Sequence, residues 1–116
     1  MPFLGPEEML SGQPLPGWHG RFFHAQSMTF AHYEIEAGAT ALHEHHHPQQ
    51  EVWNVVDGEV VLSIGNEERT LRAGDVAIIP PDTPHAARVL TTCRVMVVDH
   101  PRRDELPGGS VERPNS

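Results

Sequence analysis

The stretch from Gly38 to Gly58 reads GATALHEHHHPQQEVWNVVDG and gathers four of the chain's nine histidines, His43, His45, His46 and His47, with Glu51 four residues beyond the last of them. On an extended chain, residues two apart share a face. His43, His45, His47 and Glu51 therefore project to one side, while Glu44 and His46 project to the other. Three imidazoles and a carboxylate on one wall suit borderline divalent ions such as Mn, Fe, Co, Ni, Cu or Zn. Pro48 can bend the chain and relax strict parity before Glu51. The competing reading is a solvated polyhistidine loop or an expression tag. The tag reading fails because the cluster is internal and runs through Pro-Gln-Gln-Glu into β-prone residues.

Working outward, the pattern is a succession of short strands separated by turn signals, which predicts an antiparallel sandwich or barrel. Ser27 to Glu36 reads as one strand, stopped by Ala37-Gly38. Glu51 to Val56 and Glu59 to Ile64 flank Asp57-Gly58, a dipeptide suited to the positive dihedrals of a tight hairpin, and a hairpin is expected there. Gly65-Asn66 marks a second turn before Glu67 to Arg72. Val76 to Ile79, His85 to Leu90 and Arg94 to Asp99 complete the series. No amphipathic helix of useful length is found, although Pro6 to Leu10 can form a single turn.

The 116 residues allow one domain. Residues 1–20 read as an extended arm, 21–103 as the β-barrel domain and 104–116 as a polar tail. Phe3, Leu4, Leu10, Leu15 and Trp18 argue that the arm packs on the domain or on a neighbouring chain. A net charge of −8 repels nucleic acid and anionic membranes, so neither is expected as a partner. All eight basic residues are Arg, which excludes Schiff-base lysine chemistry and the P-loop lysine. The single cysteine, Cys93, excludes an internal disulfide and a CxxC pair. With no apolar run long enough to span a bilayer and no basic, apolar leader at the N-terminus, a cytoplasmic protein is expected.

The arrangement resembles the cupin superfamily. Its first motif corresponds to Gly38, His45, His47, Glu51 and Gly58, and its second to Gly74, Pro80 and His85, so the resemblance covers residues 38 to 85. It implies an all-β double-stranded β-helix (jelly-roll), often dimeric, with a metal set of His45, His47, Glu51 and His85. Three departures stand out. Six residues separate Gly38 from His45 instead of the usual five, leaving room for His43 as a ligand or a supporting group. Asp82 replaces a glycine, which is tolerable because Asp is a turn former that can enter left-handed backbone space. The second motif's late Asn falls on Val89.

Three nitrogens and one oxygen leave two octahedral positions for a substrate oxygen, water or dioxygen. If Glu51 points inward, so should Trp53 and Val55, and Ala87 and Val89 should follow His85. His19, His24 and His32 read as surface or structural groups, Arg88 and Arg94 as surface charges, and Cys93 as a packed thiol. The His-x-His-Pro run and Pro101-Arg102-Arg103-Asp104 are similar to small cupins of pectin and alginate breakdown that convert unsaturated uronates to linear keto forms. That likeness implies a role for Arg103 with an upstream acid. The matching position is Val97, which cannot move protons, and Asp99 is the available substitute.

The reading is a metal-binding, homodimeric cupin acting on a small-molecule substrate such as a sugar acid or keto acid, by isomerase or dioxygenase chemistry. A non-catalytic binding or sensor domain and a structural barrel with an incidental site are the alternatives.

Overall fold

The computed structural model describes residues 2–45, 47–103 and 111–112, with side chains omitted at 42–45 and 111–112. After a 3-10 turn at Pro6–Glu8 come β1 (Leu10–Gly12), β2 (Trp18–His24), β3 (Thr29–Ile35), β4 (Thr40–His45) and β5 (Gln50–Ile64). Then follow β6 (Glu67–Leu71), β7 (Val76–Ile79), β8 (His85–His100) and β9 (Val111–Glu112). The antiparallel strands run in the order β6-β5-β8-β3-β2-β1-β9, with β4 also on β8 and β7 also on β5. The architecture is an all-β jelly roll.

Two long strands organise it. β5 and β8 pair along their whole length, from Gln50 opposite His100 to Ile64 opposite His85. The first half of β5 and the second half of β8 lie in one layer with β7, β3 and β2, and their other halves lie in the facing layer with β6 and β4. The hairpin expected at Asp57-Gly58 is therefore absent. Both flanking segments pair with the same partner strand and not with each other, and the register against β8 slips at Val55/Asp57, Asp57/Glu59 and Glu59/Val60. The positive φ of 82° at Gly58 serves a bulge that bends one strand from layer to layer. A Cβ there would run into the Thr92 carbonyl and the Cys93 side chain. By the same logic the two strands expected at 85–90 and 94–99 are one, β8. The turn at Gly65-Asn66 does close a hairpin, between β5 and β6.

Strict alternation fills the space between the layers. Tyr33, Ile35, Trp53, Val55, Val95 and Val97 from one layer meet Val60, Leu62, Leu71, Ala87 and Val89 from the other. Trp53, Val55, Ala87 and Val89 thus lie inward, as the parity argument requires. The segment read as an arm supplies β1, the start of β2 and the buried Trp18, so its first 20 residues are partly sheet. Trp18 packs edge-on against Tyr33 (5.3 Å) and Trp53 (6.0 Å), contacts each worth about 0.5–1.5 kcal/mol beyond the area they bury. Burial of these rings explains why a Pro- and Gly-rich segment stays on the barrel.

Cys93 is fully buried mid-strand, and burial, then the charge of Asp57, pushes its thiol up to about 11. It is a packing group. Of the tail expected at 104–116, residues 104–110 and 113–116 lie outside the described residues. β9 lies within it and pairs with β1. Among the described residues, no helix is long and apolar enough to cross a membrane.

Candidate metal centre

Three local devices bring His47, Glu51 and His85 to one end of the barrel. His47 follows β4, and Glu51 is the first inward-facing residue of β5. His85 opens β8 after a Pro-rich turn in which Asp82 takes a φ of 55°, the left-handed conformation foreseen for this replacement. The Asp82 backbone N–H donates to the His47 carbonyl at 2.8 Å, tying the second-motif turn to the first-motif histidine.

One ligand atom from each of the three residues lies within 4.8 Å of the others, and all three side chains are nearly buried. An ion bound about 2.0–2.2 Å from each donor spans such a group after small rotations. His85 Nδ1 lies 2.8 Å from the Thr83 carbonyl and His47 Nδ1 lies 3.0 Å from the Gln49 carbonyl. A carbonyl only accepts, so each Nδ1 carries the hydrogen and donates it, and Nε2 is the ligand atom. His47 Nε2 then stands 3.1 Å from Glu51 Oε2. Two acceptors at that distance require a shared proton or a cation. Without a metal the proton serves, since the hydrogen bond to Glu51 holds the His47 imidazole above its ordinary value against the opposing effect of burial. The donor set fits a divalent ion.

His45, the fourth expected ligand, ends β4 directly opposite His85 in the strand register. Its side chain, like that of His43, lies outside the described residues, as does His46 altogether.

Behind the triad is a second carboxyl. Asp99, two residues past Val97 on the same inward face of β8, pairs with Glu51 in the β5–β8 register. Burial, then the Glu51 charge, pushes the Asp99 carboxyl up to about 7. Burial opposes ionisation of Glu51 too, but hydrogen bonds from His47, Asp99 and Trp53 outweigh it and hold Glu51 at about 2. Trp53 Nε1 donates to Glu51 Oε1 at 2.5 Å. The two carboxyls thus titrate as a pair, with Asp99 the one that more readily keeps a proton. On its other side, Arg103 Nη1 donates to Asp99 Oδ2 at 3.4 Å.

A cavity of about 90 Å³ opens onto this group. Glu51, His85, Asp99 and Arg103 supply its polar wall, and Leu15, Trp18, Tyr33, Trp53, Leu62 and Val97 much of the rest. Sequence reasoning weighed Asp99 and Arg103 but assigned neither, and it missed Leu15, Trp18 and Tyr33 as lining. The available signal was the cluster of large apolar residues in a segment otherwise built for turns. His19 and His32 are exposed, as expected; His19 pairs with Glu36 at 2.9 Å.

The cupin domain family matches residues 31–99, more than half of the chain. The chain belongs to the cupin family. Among solved structures, this cupin is similar to KdgF from Halomonas sp. (TM-score 0.75, 26% identity, 81% of this chain and 87% of that one). An RmlC-like cupin from Shewanella frigidimarina shares the fold (TM-score 0.81, 22% identity, 90% and 94% covered). So does the Mn(II)-containing oxalate decarboxylase of Bacillus subtilis (TM-score 0.76, 15% identity, 95% of this cupin and 31% of that chain). By sequence, this cupin is 25% identical over 67 residues to the uncharacterized protein MJ1618 of Methanocaldococcus jannaschii, 58% of this chain and about half (54%) of that protein.

Proposed function

We propose that this cupin is a metal-dependent isomerase that ketonises a small unsaturated sugar acid. His45, His47, Glu51 and His85 would hold the ion, which when bound polarises substrate oxygens as a Lewis acid. The carrying observation is Asp99. It is a buried carboxyl on the wall of the cavity that Glu51 and His85 also line, opposite Glu51 in the strand register and with the Arg103 guanidinium beside it. Ketonisation is redox-neutral. The hemiacetal ring opens to an aldehyde and an enol, the enol oxygen loses its proton, and the adjacent carbon gains one. A single carboxyl able to give and take a proton suffices. Arg103 offers a planar fork to the substrate carboxylate. The likeness to KdgF supports the reading.

The test uses untagged protein loaded in turn with Mn, Fe, Co, Ni, Cu or Zn and mixed with a 4,5-unsaturated uronate. The conjugated absorbance of the substrate should disappear faster than in the protein-free control with at least one ion. No acceleration with any ion overturns the reading, and binding without turnover would favour the non-catalytic binder.

We further infer that the cupin works as a homodimer joined through the outer face of its larger layer. In register across that face lie Ile78, Val52, Val98, Phe30 and Phe23, with Val76 and Val56 alongside. Ile78 and Val56 are 59% and 60% exposed. Five strands at about 4.8 Å spacing make an apolar strip about 19 Å wide, large for a surface left in water. Ile78→Glu should shift the mass in sedimentation from two chains to one while leaving metal content unchanged. An unchanged mass, or a monomeric parent, removes the dimer.

A further inference from the structure

We propose that Thr29 is a positioning residue that sets Arg103 over the cavity, an inference that rests on Arg103 taking part in the proposed ketonisation. Thr29 opens β3 and is almost completely buried. It lies opposite Asp99 on β8 and opposite His24 on β2. Its hydroxyl Oγ1 accepts from the backbone N–H of Arg103 at 2.9 Å and lies 2.8 Å from His24 Nδ1.

A hydroxyl has one proton to give. Oγ1 also has two lone pairs, so with the Arg103 N–H on one of them it either donates to His24 Nδ1 or accepts from it, according to the ring's tautomer. In both cases His24 fixes the Thr29 hydroxyl from one side while the hydroxyl holds the Arg103 main chain on the other. Arg103 Nη1 then reaches Asp99 Oδ2.

The tie matters because the β5–β8 ladder ends at Gln50 and His100. Among the described residues, the bond to Thr29 is the main-chain hydrogen bond that returns residues 101–103 to the barrel. A guanidinium on an untethered segment would sample many positions, and misplacing a binding group even slightly is costly in rate. Thr29 is not among the residues that line the cavity, and its hydroxyl meets the Arg103 main chain, so it acts through Arg103.

The test compares Thr29→Val, which keeps the shape and removes the hydroxyl, with Thr29→Ser, which keeps the hydroxyl, in metal-loaded protein. The Arg103 backbone amide should lose its hydrogen-exchange protection in the Val variant and retain it in the Ser variant. The Arg103 Nε–H resonance, assigned through Arg103→Ala, should collapse toward the solvent-exposed position in Thr29→Val only. With unsaturated uronate, Thr29→Val should raise KM about tenfold, the scale of one lost positioning hydrogen bond, with kcat changed less. Thr29→Val should add nothing in an Arg103→Ala background. Equal costs of Thr29→Val in both backgrounds, or an unmoved Arg103 Nε–H resonance, would overturn the proposal. If the parent protein shows no turnover, the ketonisation reading fails, and the two spectroscopic measurements still decide whether Thr29 sets Arg103.

Discussion

His85→Ala is expected to strip the protein of its metal. Untagged protein purified without added metal should carry close to one divalent ion per chain by elemental analysis, and the variant almost none. The expectation rests on tautomer and burial. His85 gives its Nδ1 hydrogen to the Thr83 carbonyl, which aims Nε2 at the group formed with His47 and Glu51. Losing an outer hydrogen-bond partner of a ligand already costs about 10–100-fold in affinity, so losing a ligand should cost at least that. His47→Ala should behave alike and also deprive the buried Glu51 of its nearest cationic partner. His46→Ala is the control, since alternation sends His46 to the opposite side from His45 and His47. Equal losses in all three variants would refute the alternating wall, and full metal retention in His85→Ala would refute the centre itself.

How much of this was legible in the chain depended on the distance over which each signal acts. His47, Glu51 and His85 were reachable from sequence because a two-residue period and the resemblance both depend on spacing, and the structure brings those three together. The Asp57-Gly58 bulge was not, because a positive-φ dipeptide between β-prone runs is compatible with a hairpin or a bend. The choice is made by β8, which begins only at His85 and pairs with both runs at once. Asp82 was legible for the opposite reason, since its left-handed turn is a property of the residue itself. The cavity wall was the least legible part. Leu15 and Trp18 reach it from a segment with turn composition, and the inward side of Tyr33 is set by β3 pairing with β8.

Asp99→Asn should cut turnover by orders of magnitude while leaving the metal in place. The asparagine side chain has almost the same shape, and its amide can donate to Glu51 as the protonated Asp99 does, so the triad keeps its support. Its oxygen can still accept from Arg103. What it cannot do is release and recover a proton. If Asp99 carries the proton between the enol oxygen and carbon, kcat should fall by about 10²–10⁴-fold, the usual contribution of a positioned acid or base. KM and metal content should stay near the parent values. Arg103→Ala should differ in kind, raising KM more than it lowers kcat, because a carboxylate fork contributes mainly to binding. The comparison also addresses the departure from the uronate-ketonising cupins, in which the acid falls two residues earlier, at Val97 in this chain. Both positions face inward on β8, so moving a carboxyl by one strand period keeps it on the cavity wall while bringing it opposite Glu51. Undiminished kcat in Asp99→Asn would mean that the proton moves through another group, and the hydrogen bond with Arg103 would then be structural.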